Sequence, residues 1–280
     1  MVVKNSDSIL KITNPSQKEF IELWKQHQPF LIDGVAENWY AYKNWSNDYL
    51  LKKCGNNTIR VLCYDQNYLD NYNYVFDKTY PDKFMKFKDY LDIKSSENNT
   101  EDSLRYYMAA VNLEQYFPEL TVDISYPEYF NRKPRINFWF GSCGNTTTLH
   151  FDREHNILAQ IRGRKRILLY PPSNYLSFYP PIGENGALEY CSKVNPINYN
   201  LELFPKFPWQ QKKEIILQAG EMLYVPPFWW HHVTGVDENI SLSFWYDIQI
   251  GDWFRQKRIF STILNILHHS KTVLFTHDGS

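Results

Sequence analysis

From residue 136 to residue 246 one strand-like segment follows another, and turn residues rather than helical periods separate them. A chain built this way has little choice of architecture. Many short strands with few helices between them predict a mainly β fold with flanking helices. The expected form is a double-stranded β-helix, or jelly roll, whose inward faces can enclose a pocket.

The stretch 147–170 carries the chemistry. His150 and Asp152 stand two apart in a segment of strand composition, so the period of two points both side chains to one face. One imidazole and one carboxylate on a common face make two-thirds of a metal site. A third ligand has to arrive from elsewhere. The best source is the F-W-W-H-H-V segment after Pro226 and Pro227, where His231 and His232 compete. Two histidines and a carboxylate with open positions suit non-haem Fe(II). His155 is also near, but its odd position turns it away from His150 and Asp152.

Lys165 sharpens this reading. In the run 163–170, alternation places Lys165 on one face with Ile167 and Leu169, and Arg164 and Arg166 on the other. A lysine on an apolar face needs an anionic partner, because an unpaired buried ammonium costs several kcal/mol or loses its proton. No internal carboxylate is obvious, so a bound dicarboxylate is the natural guess. The competing reading is a lysine whose stem is covered while its head reaches water.

Five motifs together identify a family resemblance. H-F-D at 150–152, N-I-L-A-Q-I-R-G-R-K-R at 156–166, A-G-E-M-L-Y-V-P-P at 219–227, W-W-H-H-V at 229–233 and S-F-W-Y at 243–246 resemble the small JmjC-domain hydroxylases, a cupin-like family that includes factor inhibiting HIF, the tRNA wybutosine hydroxylase and arginyl or lysyl hydroxylases. The resemblance implies Fe(II) held by His150, Asp152 and His231, the last chosen because two aromatics, histidine, any residue and an aliphatic match 229–233. It implies 2-oxoglutarate as co-substrate and O2 as oxidant. It gives Lys165, Thr147 and Tyr107 to the far carboxylate and places Asn156 near the co-substrate. Thr147 has the wrong parity for the ligand face unless the strand carries a bulge. In the last strand Ser241, Ser243 and Trp245 share a face, the better candidate for a polar pocket lining; some relatives have asparagine where Ser243 stands.

Composition narrows the setting. Formal net charge is −1, so no strongly basic surface for nucleic acid is announced. Cys54, Cys63, Cys143 and Cys191 are scattered without a C-x-x-C pair, which predicts free thiols in a reducing compartment. No apolar run is long enough for a signal peptide or a membrane span. The expected setting is cytoplasmic or nuclear.

The expected organisation is an N-terminal α/β region at 1–130 packed on the barrel, the catalytic jelly roll at 131–250, and a C-terminal helical segment at 251–280. Within the first, residues 16–27 read as a helix with Ser16 and Glu19 as a capping box. Residues 29–32 and 58–64 read as strands, 48–53 and 85–91 as helices, 65–80 as loop with edge elements, 94–102 as a mobile loop, and 105–109 as a strand. Residues 173–207 form a long insertion in which substrate contacts are expected. From Asp252 the apolar stripe suits a helix that covers the barrel end or, as in relatives, forms a homodimer. His268 and His269 beyond it are expected to face solvent.

The function expected is hydroxylation of a protein side chain, with succinate and CO2 released. A tRNA-nucleoside hydroxylase or a lysine demethylase of the same fold are alternatives. A cupin-like Zn(II) isomerase, or a catalytically silent jelly roll that binds a protein or RNA partner, are alternatives of other classes.

Overall fold

The strands in chain order are β1 (Leu10–Thr13), β2 (Phe30–Asp33), β3 (Thr58–Asp65), β4 (Lys83–Lys86), β5 (Leu104–Asn112), β6 (Arg135–Gly141), β7 (Thr146–Phe151), β8 (His155–Arg162), β9 (Lys165–Tyr170), β10 (Lys213–Leu217), β11 (Met222–Val225), β12 (Trp230–Gly235) and β13 (Asn239–Tyr246). They come from a computed structural model that describes residues 9–71, 82–96, 104–126, 128–172, 175–181 and 190–255. From β6 onward successive strands tend to alternate between two sheets. The larger has the order β1-β2-β11-β8-β13-β6-β5-β3-β4 and the smaller β10-β9-β12-β7. Two facing antiparallel sets, β11-β8-β13-β6 and β10-β9-β12-β7, make the jelly roll. β1 to β5 extend the larger sheet on both flanks rather than forming a separate sheet.

The two faces of the larger sheet do different work. Ile240, Leu242, Phe244 and Tyr246 of β13 point outward with Ile157, Ala159 and Ile161 of β8 into the main apolar core. The helix Gln17–Trp24 closes that core with Phe20 and Trp24, each stabilising by about 2–3 kcal/mol through burial. It starts at Ser16, whose hydroxyl accepts from the Glu19 backbone N–H while the Glu19 carboxylate accepts from the Ser16 N–H, the predicted capping box. The opposite face of β13, with Ser241, Ser243 and Trp245, looks across at the smaller sheet.

Turns carry the chain between and within sheets. β8 reaches β9 through Gly163 at φ +66°, where a Cβ would fall 2.1 Å from the Glu238 carbonyl. Only glycine fits this tight turn, which sets the register of Lys165. Gly220, at φ +91°, lies between β10 and β11. β10 pairs with β9, and β11 with β8 and β2, so this turn crosses from one sheet to the other.

Other expectations are corrected. Met85 and Lys86 are not helical: they pair with Ile59 and Thr58 in β4, and the helix runs Phe87–Ser96. The open edge of β3 offers backbone partners that outweigh local helical periodicity. Lys94 lies in that helix, buried, with its amine donating to the Ser142 hydroxyl; the remainder of the proposed loop, 97–102, falls outside the described residues. Within 65–80, a helix spans Gln66–Asn71, begun by Asp65, whose carboxylate accepts from the Asn67 N–H at 2.8 Å; residues 72–80 fall outside. In the long insertion a 3-10 turn spans Tyr175–Phe178. The final helix begins at Ile250 and is described to Arg255, so the expected dimer contacts, His268 and His269 lie beyond the described residues.

Candidate active site

β7 and β12 are adjacent antiparallel strands, and their register sets His231 directly opposite His150, with ring centroids 4.2 Å apart. Each imidazole is oriented by its own backbone. His150 Nδ1 lies 2.7 Å from the Thr148 carbonyl and His231 Nδ1 lies 3.0 Å from that of Trp229. A carbonyl only accepts, so Nδ1 carries a proton in both rings, and Nε2 is the atom each ring turns toward Asp152. Those Nε2 atoms lie 3.7 Å and 3.6 Å from the two oxygens of Asp152. One ligand atom from each residue falls within 4.8 Å of the others.

The electrostatics suit a bound cation. Burial pushes the Asp152 carboxyl up, against the pull of His150, a hydrogen bond from Asn156 and the charge of Arg135. Its Oδ2 is buried without a hydrogen-bond partner. Burial, then proximity to His150, brings His231 down to about 3. Two imidazole nitrogens and an orphaned carboxylate oxygen around one point are the donor set expected for a divalent transition metal with positions left open.

A cavity of about 240 Å³ lies between the sheets in front of these ligands, lined by Tyr107, Trp139, Thr147, Asn156, Lys165, Cys191, Ser243 and Trp245 among others. At its far end Lys165 is 2 % exposed, so the reading in which its head reaches water is set aside. Among the described residues none of the ion pairs involves it. Its amine donates to Ser241 Oγ at 2.6 Å and lies 5.3 Å from the centre of the Trp139 ring. Burial brings its pKa down to about 7.

The register between β7 and β12 slips at the point the parity of Thr147 requires. His231 opposes His150, but Val233 opposes Thr147, so three steps on β7 match two on β12. This bulge turns Thr147 to the cavity, where its hydroxyl hydrogen-bonds Tyr107; burial pushes the Tyr107 phenol well above its ordinary value. Ser243 accepts from Trp139 Nε1 at 2.8 Å. The Trp245 ring stacks under the Arg135 guanidinium at 4.9 Å.

Two further histidines near the ligands stand apart from them. His232 points away from the ligand cluster and is buried on the other face of β12. His155 lies in the main core, its Nδ1 close to Trp24 Nε1 (3.2 Å) and the Tyr224 hydroxyl (3.0 Å), its Nε2 3.4 Å from Asp252. It ties the final described helix to the barrel.

Three contributions escaped the sequence reading. Trp139 alternates with Asn137 and Gly141 on β6, a signal available but not used. Ser241 was placed on the right face without its lysine partner. Residues 190–192 pair with β7, Cys191 opposite His150, through Phe151 N–H to Tyr190 O at 3.1 Å and Ser192 N–H to Leu149 O at 2.8 Å; nothing local announces that pairing.

Comparison with known proteins agrees with this architecture. Residues 16–252 match the family described as a cupin-like domain. The chain belongs to the cupin-like JmjC family. This JmjC chain is 33% identical over 223 residues to lysine-specific demethylase JMJ30 of Arabidopsis thaliana, covering 78% of this chain and 49% of that one. It is 24% identical over 265 residues to bifunctional peptidase and (3S)-lysyl hydroxylase JMJD7 of Homo sapiens, covering 84% and 82%. It is 25% identical over 249 residues to tRNA wybutosine-synthesizing protein 5 of Danio rerio, covering 83% and 73%. The chain spans little more than half the length of several other relatives it matches. Among the described residues no helix is long and apolar enough to cross a membrane.

The buried imidazoles predict how stability follows pH. Burial lowers the pKa of His155, His231 and His232. Below 6.5 the unfolded chain therefore takes up protons that the fold refuses, and each group removes up to about 1.4 kcal/mol per pH unit. Asp152, shifted upward, offsets part of this. The metal-free protein should melt roughly 5–10 °C lower at pH 5 than at pH 7. A melting temperature that is flat or rises on acidification would contradict the neutral imidazoles.

Proposed function

We propose that this chain is an Fe(II)- and 2-oxoglutarate-dependent dioxygenase that hydroxylates a protein side chain and releases succinate and CO2. One observation carries the reading: three ligand atoms converge at one end of a cavity whose other end holds a buried lysine that makes no ion pair among the described residues. His150, Asp152 and His231 would hold the iron. When bound, iron and 2-oxoglutarate supply an oxidant made from O2 that acts on a substrate C–H bond.

The chain's own residues do the rest. Lys165 neutralises the far carboxylate, with the Thr147 and Tyr107 hydroxyls on the same cavity wall. Asn156 steadies Asp152 through its hydrogen bond. Trp139, Trp245 and the apolar wall residues Leu158, Ile167 and Val225 keep water out, so reactive chemistry meets substrate before solvent. A protein substrate is favoured by the near-zero net charge and by the human relative named a lysyl hydroxylase, matched over most of both chains. The Arabidopsis and zebrafish relatives, named a demethylase and a tRNA wybutosine-synthesizing protein, keep those outcomes as the alternatives to test.

The test is succinate production from 2-oxoglutarate with Fe(II), followed by mass spectrometry of treated cell extract. A protein peptide gaining one oxygen supports the reading. A modified nucleoside or a demethylated lysine redirects it, and no succinate under any condition refutes it.

A further inference from the structure

Lys165 is steadied from behind. Among the described residues, the one side chain that hydrogen-bonds its amine is Ser241, at 2.6 Å. Ser241 is fully buried on β13, directly across from Trp139 of β6 in the strand register. Its neighbour on the same face, Ser243, is committed to Trp139 Nε1. The two serines therefore divide the work: Ser243 fixes the indole, and the indole and Ser241 together fix the ammonium. A lysine stem has four rotatable carbons, and a buried amine with a single partner goes where that partner puts it.

We propose that Ser241 is a positioning residue for the co-substrate: its hydroxyl holds the Lys165 ammonium at a set depth, which fixes the distance from the metal ligands to the anion anchor and so the chain length of keto-diacid the cavity accepts. This rests on the reading of the cavity as a keto-diacid site. One ammonium proton goes to Ser241 and the others remain for carboxylate oxygens. Without the hydroxyl the amine can swing, and the anchor loses both its place and part of its affinity for a proton.

The experiment measures equilibrium binding by calorimetry, with glutarate on metal-free protein and with 2-oxoglutarate and its six-carbon homologue on Mn(II)-loaded protein under argon. Ser241→Ala should weaken glutarate and 2-oxoglutarate about tenfold. It should also narrow the preference for five carbons over six and move the alkaline loss of affinity to lower pH. Ser241→Thr, which keeps the hydroxyl, should restore all three. Unchanged affinity, preference and pH profile in Ser241→Ala overturns the positioning role. So does a loss that Ser241→Thr fails to restore while both variants melt early, which assigns the serine to packing alone. If the unsubstituted protein binds neither glutarate nor 2-oxoglutarate, the keto-diacid reading itself falls and this proposal with it.

Discussion

Asp152→Ala should lower succinate production by about three orders of magnitude or more, since partners that merely orient metal ligands are already worth 10–100-fold. The same substitution should leave the fold intact. Asp152 is a half-buried carboxylate pushed up by desolvation, with one buried oxygen that lacks a hydrogen-bond partner. Removing it relieves a cost in the metal-free protein, so the melting temperature should stay level or rise. Fe(II) or Mn(II) should no longer raise that temperature in the variant, whereas it should in the unsubstituted protein. His232→Asn, on the opposite face of β12 from His231, should retain turnover. Undiminished succinate from Asp152→Ala would remove the metal centre from 150, 152 and 231.

Lys165→Met should weaken 2-oxoglutarate by about 100-fold or more, the usual scale for truncating one partner of a buried charge pair. A pH signature accompanies it. Without ligand the amine titrates at about 7, brought down from 10.5 by burial. Above pH 7 the free protein carries a neutral amine, and dicarboxylate binding has to draw in a proton. Affinity should therefore fall about tenfold per pH unit from pH 7 upward and be flat below it. Lys165→Met should lose that slope. In the absence of ligand the variant should melt higher than the parent at pH 6, where the parent must keep a charged amine in an apolar wall. Equal affinity in parent and variant, with the slope unchanged, would take the anchor away from Lys165.

Much of this site was legible because strand periodicity is a short-range property. The shared face of His150 and Asp152, the inward side of Lys165 and the serine face of β13 follow from counting by two, and the structure keeps each parity. His155 was excluded as a ligand on the same count. The capping box at Ser16 and Glu19 was legible for a similar reason: both partners lie within one helical turn. Parity failed at Thr147, where a bulge in β7 inserts one extra residue. It was uninformative at 231 and 232, where adjacent histidines differ only in which sheet face the barrel presents to the cavity.

The order of strand-forming segments and the alternation within each belong to the sequence, since each depends on neighbours a few residues away. Tertiary structure alone decided that β10 and β11 part to opposite sheets, that Met85 and Lys86 join β4, that Cys191 lies beside His150, and that Ser241 meets Lys165. Those outcomes depend on backbone groups and side chains far apart in the chain finding one another across a sheet. Their energies come from burial and pairing that exist only once the roll has closed.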